Sequence, residues 1–323
     1  MDETSLGARL KLRILGVDDE EVSMERRGFV PVDERAREQL ETIARTFLVG
    51  YRLAIVVTDH EELARRLDET ELEFRGFAHE GAAMGLTVLD GLMPLRRRLR
   101  AFLSGPGYPY AWMAPIGFGW ARVQMHRRPR GPQPLVDPLL DWFALDGAGF
   151  HDGFFHPERF IEEQRKPALR ETAARVYDQG IGRSLWFVQG ADVERIAATI
   201  GSFPVGRRAD LWSGLTSAAT YAGGVDREAL ERLVELGGDY RLEVAQGAAF
   251  AVKARLAGGN PTPHTDAAAE VFCQLPTIES ARVADVALEG LRVAGHPSPY
   301  DAWRQRVQDL LAVKDPVGAG VAQ

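Results

Sequence analysis

A glycine that returns about every 33 residues constrains this chain more than any other feature of its sequence. The positions are Gly50, Gly81, Gly117, Gly147, Gly180, Gly214 and Gly247, separated by 31, 36, 30, 33, 34 and 33 residues. Several sit in segments rich in small residues, among them HEGAAMG, PIGFGWA, DQGIGRS, WSGLTSA and AQGAAFA. Self-similarity at a fixed period marks a repeat architecture, in which one supersecondary unit buries its apolar face only against its neighbours. Several of these segments lead through a turn into a charged stretch with helical apolar spacing, as VYDQGIGRSLWFV leads into DVERIAATIGSF. The pattern predicts an all-α fold: an array of about seven helical hairpins, either an open α-solenoid or a closed α/α toroid.

The same grammar sets the predicted boundaries. It begins at Val32, with Asp33 as N-cap of a helix whose Leu40, Ile43, Ala44, Phe47 and Leu48 share one face. It runs to residue 311, where PTIESARVADVALEGL and DAWRQRVQDLL form a terminal copy without the glycine. Residues 32–311 therefore read as one helical-repeat domain. Residues 1–31 read as an irregular leader, with LKLRILG as a short strand and GVDDEEVSMERRG as a polar loop; 312–323 read as a flexible tail. The other β-prone runs, GFVPV and RLAIVV, are too few and scattered to build a sheet.

Thirty-nine Lys and Arg stand against 46 Asp and Glu, and the net charge of -7 argues against nucleic acid or an anionic membrane as the partner. The basic run RRRLR at 96–100 reads as a solvated helix face. A single cysteine, Cys273, excludes an intrachain disulfide and a cysteine-rich zinc site, and its apolar surroundings mark it as core. No apolar segment of signal-peptide type opens the sequence and no run of 18 apolar residues occurs in it. A cytoplasmic protein with no direct membrane insertion is expected.

A glycine inside a helix costs about 1 kcal/mol relative to alanine, so seven of them require a structural return. One return is close approach of the neighbouring hairpin; the other is room for a ligand. The residues just before the glycines are Val49, Glu80, Ile116, Asp146, Gln179, Ser213 and Gln246, five of them polar. In copies stacked in register they form a row along the inner face. With Trp112, Trp120, Trp142, Trp186, Trp212, Phe118 and Phe150 nearby, the row describes an apolar groove with a few carboxylates and amides on its floor, suited to a long hydrophobic ligand. Glu80, Asp146 and His151 are the candidate acid/base residues, because desolvation brings a buried carboxyl towards neutrality. His79, Gln179, Arg183, Trp186, Trp212, Ser213, Gln246 and Trp120 are the candidate ligand contacts. His151 and His156 are five apart and do not share a helical face, which argues against a metal pair. No HExxH, CxxC, GxSxG, Walker-type or strand-linked GxGxxG motif occurs, so no cofactor or metal is expected. The Gly-x-Gly units lie inside helical repeats and are not phosphate loops.

The segment GIGRSLWFVQGADVERIAATIGSFPVGRRADLWSGLTSAATYAGG, with EGAAMGLTVLDGL, DGAGFHDGFFH and AQGAAFAVKARLAGGN, resembles a bacterial domain-of-unknown-function family that accompanies the polyketide synthase of enediyne antibiotic gene clusters. The resemblance covers about residues 15–290, with GRSLWF and DLWSG its most distinctive parts. It implies a role in converting a linear polyene towards an enediyne core, a polyene or enediyne-type small molecule as ligand, and other enzymes of the pathway as partners. It carries over no catalytic residue. A non-catalytic scaffold for partner enzymes is the competing reading, and a protein that sequesters the finished product is a third. The period also resembles that of tetratricopeptide repeats, but the mostly polar residue before the glycine departs from their leucine.

Overall fold

The computed structural model describes residues 6–93, 95–291 and 298–313, and among these there is no β-strand. Among the described residues sixteen α-helices follow one another: α1 (Leu6–Leu15), α2 (Met24–Arg27), α3 (Glu34–Val56), α4 (His60–Leu67), α5 (Arg75–Leu92), α6 (Arg98–Leu103), α7 (Ala114–Gln124), α8 (Phe143–Phe155), α9 (Glu171–Val188), α10 (Val193–Ser202), α11 (Val205–Ala222), α12 (Arg227–Gly237), α13 (Arg241–Ala257), α14 (Pro263–Ala268), α15 (Thr277–Val286) and α16 (Pro299–Ala312). The fold is all-α, as the glycine period predicts.

The seven marker glycines lie in α3, α5, α7, α8, α9, α11 and α13, and these helices pack side by side in that order. The reason is visible at each glycine. A Cβ on Gly117 would overlap the carbonyl of Glu80, and one on Gly147 that of Ile116; Gly180, Gly214 and Gly247 meet the carbonyls of Asp146, Gln179 and Ser213 in the same way. From Gly117 onward, each marker glycine thus lies on the carbonyl of the residue just before the preceding marker. A second glycine two residues on faces the other way: Gly119, Gly149 and Gly182 lie on the carbonyls of Ala144, Tyr177 and Leu211 in the following helix. Close backbone approach on both sides is the return for the helix propensity these residues give up.

The layers differ as burial demands. Helix α5 is buried almost all round, from Gly76 to Leu89, whereas α4, α10 and α12 bury only a stripe, such as Ile196 and Ile200 or Leu230 and Leu233. These outer helices open with aspartate caps, Asp59, Asp192 and Asp226, whose carboxylates accept a backbone N–H of the first turn. Helix α3 begins the same way, with Asp33 accepting the Ala36 N–H at 2.7 Å. The array bends back on itself: Gln39 on α3 donates to the carbonyl of Ala222 at 2.9 Å, Arg255 on α13 donates to that of Glu73 at 2.6 Å, and the Phe77 and Tyr221 rings meet edge to face.

Three expectations change. LKLRILG is not a strand but part of α1: its alternation also places Leu12 and Leu15 on one side, against α3, where the Tyr51 hydroxyl donates to the Leu15 carbonyl at 2.7 Å. The polar loop that follows contains a 3-10 turn and α2, pinned by the buried Val22 and Met24 and by Arg27, which donates to the Phe154 carbonyl at 2.8 Å. The basic run at 96–100 is not one helix face, because α6 begins only at Arg98, where the Asp90 carboxylate accepts the N–H groups of Arg98 and Leu99 at 2.8 and 3.1 Å. The tail expected over 312–323 lies outside the described residues from 314 onward.

Candidate functional site

Six of the seven residues that precede a marker glycine form the expected inner row. Glu80, Ile116, Asp146, Gln179, Ser213 and Gln246 are all buried, while Val49, at the start of the array, is 45 % exposed and lies outside it. Five of the six, from Ile116 to Gln246, line one cavity of about 30 Å³ with Trp112, Phe143 and Phe250. That volume holds about two water molecules. Its floor is a hydrogen-bonded chain: Gln179 Nε2 donates to Ser213 Oγ at 2.9 Å, and Ser213 Oγ donates to Gln246 Oε1 at 2.9 Å. Helix α16 packs against this chain of side chains. The Tyr300 hydroxyl donates to Gln179 Oε1 at 2.9 Å and Arg304 Nε to Gln246 Oε1 at 3.1 Å, while Arg304 Nη1 reaches Asp210 at 2.7 Å.

The charged end of the row holds Glu80, Asp146 and Arg183. Asp146 Oδ1 and Arg183 Nε are 3.5 Å apart, close enough to attract but without a hydrogen bond, and each of these atoms is buried and otherwise unpartnered. Burial pushes the Asp146 carboxyl up to about 6 against the pull of Arg183. Burial also pushes Glu80 up to about 8, and the negative charge of Asp146 adds to the effect while Arg183 opposes it. Glu80 is therefore a protonated acid near neutral pH beside a carboxylate that is largely ionised. That is the pairing general acid–base chemistry uses.

Glu80 and Arg183 also face an apolar cavity of about 40 Å³ walled by Phe47, Phe77, Trp120, Phe150 and Phe187. Beyond its far wall opens a groove of about 300 Å³ that reaches the surface at Glu21, Arg27, His151 and His156. Val22, Phe47 and Trp120 belong to both, so these three side chains are the partition between groove and acid. Trp120 rests on Phe150 with ring centroids 5.1 Å apart and on Phe47 at 4.8 Å, and its buried indole N–H has no partner. An unsatisfied donor of this kind costs about 1–3 kcal/mol, and a ligand acceptor would recover it.

The remaining sequence candidates fall elsewhere. His151 lines the outer groove, not the acid cavity; burial lowers its pKa and Asp152, 3.5 Å away, only partly offsets this. Burial would raise Asp152, yet His151, Arg128 and the Tyr177 hydroxyl hold it below its ordinary value. His79 is stacked on Tyr110 at 3.8 Å with Nε2 3.4 Å from Asp68, away from Glu80 although adjacent in sequence. Trp186 is core: its indole donates to the Gly223 carbonyl at 3.0 Å, and neither it nor Trp212 lines either inner cavity. Sequence reasoning missed Phe47, Phe77 and Phe187, which make the apolar wall, and Tyr300 and Arg304, which complete the polar floor. Among the described residues no group of three or more His, Cys, Asp or Glu is placed to hold a metal ion, and no helix is long and apolar enough to cross a membrane.

Residues 6–311 match the family described as "Protein of unknown function (DUF1702)". No curated protein and no solved structure matches the chain.

Proposed function

The chain belongs to this family of unknown function, and from its own geometry we propose that it binds an elongated, apolar, unsaturated small molecule and moves protons on it with Glu80 and Asp146. The observation that carries this is the buried Glu80–Arg183–Asp146 cluster between two cavities: Glu80 and Arg183 face the aromatic-walled one, and Asp146 and Arg183 face the polar-floored one. Burial pushes Glu80 up to about 8 and Asp146 up to about 6, so near neutral pH the first is protonated and the second largely ionised. Glu80 would deliver a proton to one position of the ligand and the Asp146 carboxylate would take one from another, an isomerisation in which atoms and electrons balance. Arg183 stabilises the carboxylate that Glu80 becomes. The ligand enters by the outer groove, whose volume of about 300 Å³ is at the lower end for a small-molecule site, and reaches the acid by turning Trp120 aside.

The resemblance of GRSLWF, DLWSG and the other quoted segments to the enediyne-cluster family supports a linear polyene, or an intermediate derived from it, as that ligand. A flat conjugated chain fits between Phe47, Trp120 and Phe150. The array itself we read as seven glycine-marked units curled into a closed ring-like form, supported by the contacts of α3 with α11 and of Arg255 with Glu73. A single, buried cysteine supports a cytoplasmic setting. A scaffold for partner enzymes has less support, because the polar row faces inward and is covered by α16.

The test is to mix the purified protein with a linear conjugated polyene in deuterated water, then measure chromophore retained after gel filtration and deuterium incorporated into the ligand. Wild type should retain the chromophore and incorporate deuterium. Glu80→Gln should retain it with exchange slowed about 100-fold or more. No retained chromophore at high protein concentration, or equal exchange by wild type and Glu80→Gln, would refute the reading.

A further inference from the structure

A separate cavity, of about 380 Å³, lies where the end of α5, the start of α6, and α7 with the loop after it come together, and it shares no lining residue with the groove and the two inner cavities. Four arginines line it: Arg97, Arg100, Arg122 and Arg127. The one carboxylate on its wall, Asp90, is already committed to the N–H groups of Arg98 and Leu99 and to the Arg98 guanidinium at 3.7 Å. Among the described residues none of the four arginine side chains has an acidic partner, and Arg122 Nε is buried with no hydrogen bond at all. Burial disfavours the charge on Arg122, and the neighbouring Arg127 disfavours it further. In a chain whose net charge is -7 such a convergence is a local exception.

The rest of the wall is apolar. Leu99, Phe118 and Leu135 form it, with the Arg122 guanidinium 5.8 Å from the centre of the Phe118 ring. In the chain between the lining residues Gly91 and Arg97, Leu92 is 61 % and Leu95 97 % exposed. Guanidinium groups match the oxygens of a phosphate two at a time, and the space is far larger than a bare anion needs. We propose that this cavity binds a soluble phosphate ester carrying an apolar chain, the phosphate held by the arginines and the chain laid along Leu99, Phe118 and Leu135. The anion meets the unpaired charge of Arg122 and Arg127, and the chain packs on the half-buried Phe118 and Leu135 with the buried Leu99 behind them. The site is independent of the Glu80 cavity and does not rest on proton transfer there.

The probe is octyl phosphate below its micelle concentration, titrated into the full chain, with octanol and inorganic phosphate as the separate halves. Saturable binding of octyl phosphate, at least tenfold tighter than either half and weakening as salt is raised, is expected. The double variant Arg122→Gln/Arg127→Gln should bind at least tenfold more weakly. Because Arg122 is partly buried, the variant Arg97→Gln/Arg100→Gln, both exposed, gives a second reading that refolding cannot explain, and it should also weaken binding. Octanol or inorganic phosphate binding as tightly as octyl phosphate, or unchanged affinity in both variants, would overturn the proposal. So would co-sedimentation with phosphatidylglycerol vesicles in the absence of saturable octyl phosphate binding, which would assign the surface to a membrane. Deuterium exchange on a polyene, unchanged in both arginine variants, keeps the two sites distinguishable.

Discussion

His79 and Glu80 adjoin in sequence, yet about 100° of helical rotation separates neighbours on a helix, and the two side chains end in different surroundings. Glu80 reaches the inner row; His79 stacks on Tyr110. The position before the glycine identified Glu80 and Asp146 because that position repeats in three dimensions. Proximity in sequence carries no such information, since His79 stacks on Tyr110 and His151 lines the outer groove. Trp120 was legible only as an aromatic near a glycine; its place between groove and acid depends on Phe47, 73 residues away, and Phe150. The glycines make the sharpest residue-scale prediction. Gly180→Ala drives a Cβ into the backbone carbonyl of Asp146 and should destabilise the fold by about 1–3 kcal/mol or more. Gly201→Ala, in α10 with open space around it, should be stabilising by about 0.5–1 kcal/mol. Urea midpoints of the two variants check both signs, and equal effects would contradict the close-approach account.

Helix α16 carries the most consequence for its length. Tyr300 meets Gln179 across 121 positions of sequence and Arg304 meets Asp210 across 94. No local pattern announces such pairings, which is why 276–311 read as a bland terminal copy. Arg304 is buried between Gln246 and Asp210, and its removal leaves the Asp210 carboxylate with Arg175 alone, 3.5 Å away. Arg304→Met should destabilise the protein by about 3–5 kcal/mol, the usual cost of a buried charge left short of its partner. Tyr300→Phe, which removes one hydrogen bond, should cost about 1 kcal/mol. Both are read from urea denaturation; a loss below 1 kcal/mol for Arg304→Met would mean that α16 is not a structural closure. Helix α1 shows the opposite failure: an alternating LKLRIL satisfies strand and helix patterns alike, and packing against α3 decides between them.

For the whole molecule, pH is the informative variable. Glu80 is held at about 8 against an ordinary 4.5, and Asp146 at about 6 against 3.8. Between those values the folded chain keeps protons that the unfolded chain has released, so stability falls as pH rises through the interval. Buried histidines with lowered pKa, such as His79, His151 and His264, work in the other direction below about 6.5, and they are common to wild type and variant. The difference between Glu80→Gln and wild type isolates the carboxyl: the variant should gain stability relative to wild type from pH 5 to pH 8, measured by urea denaturation at each unit. A constant difference would place Glu80 in ordinary solvent. The all-α class was legible because the period is written in one residue type; the curl of the array was not, since it arises from contacts such as Gln39 with Ala222 that no period encodes.

The glycines of successive helices rest on carbonyl oxygens, and a carbonyl is the same in every amino acid. A unit can therefore replace almost all of its side chains without disturbing how its neighbour sits, provided one position stays bare. Side-chain variety from helix to helix is cheap in such a chain. That accounts for units that share a geometry and little else, and it leaves each free to acquire its own chemistry: a carboxyl in one, an amide in the next, a hydroxyl in a third.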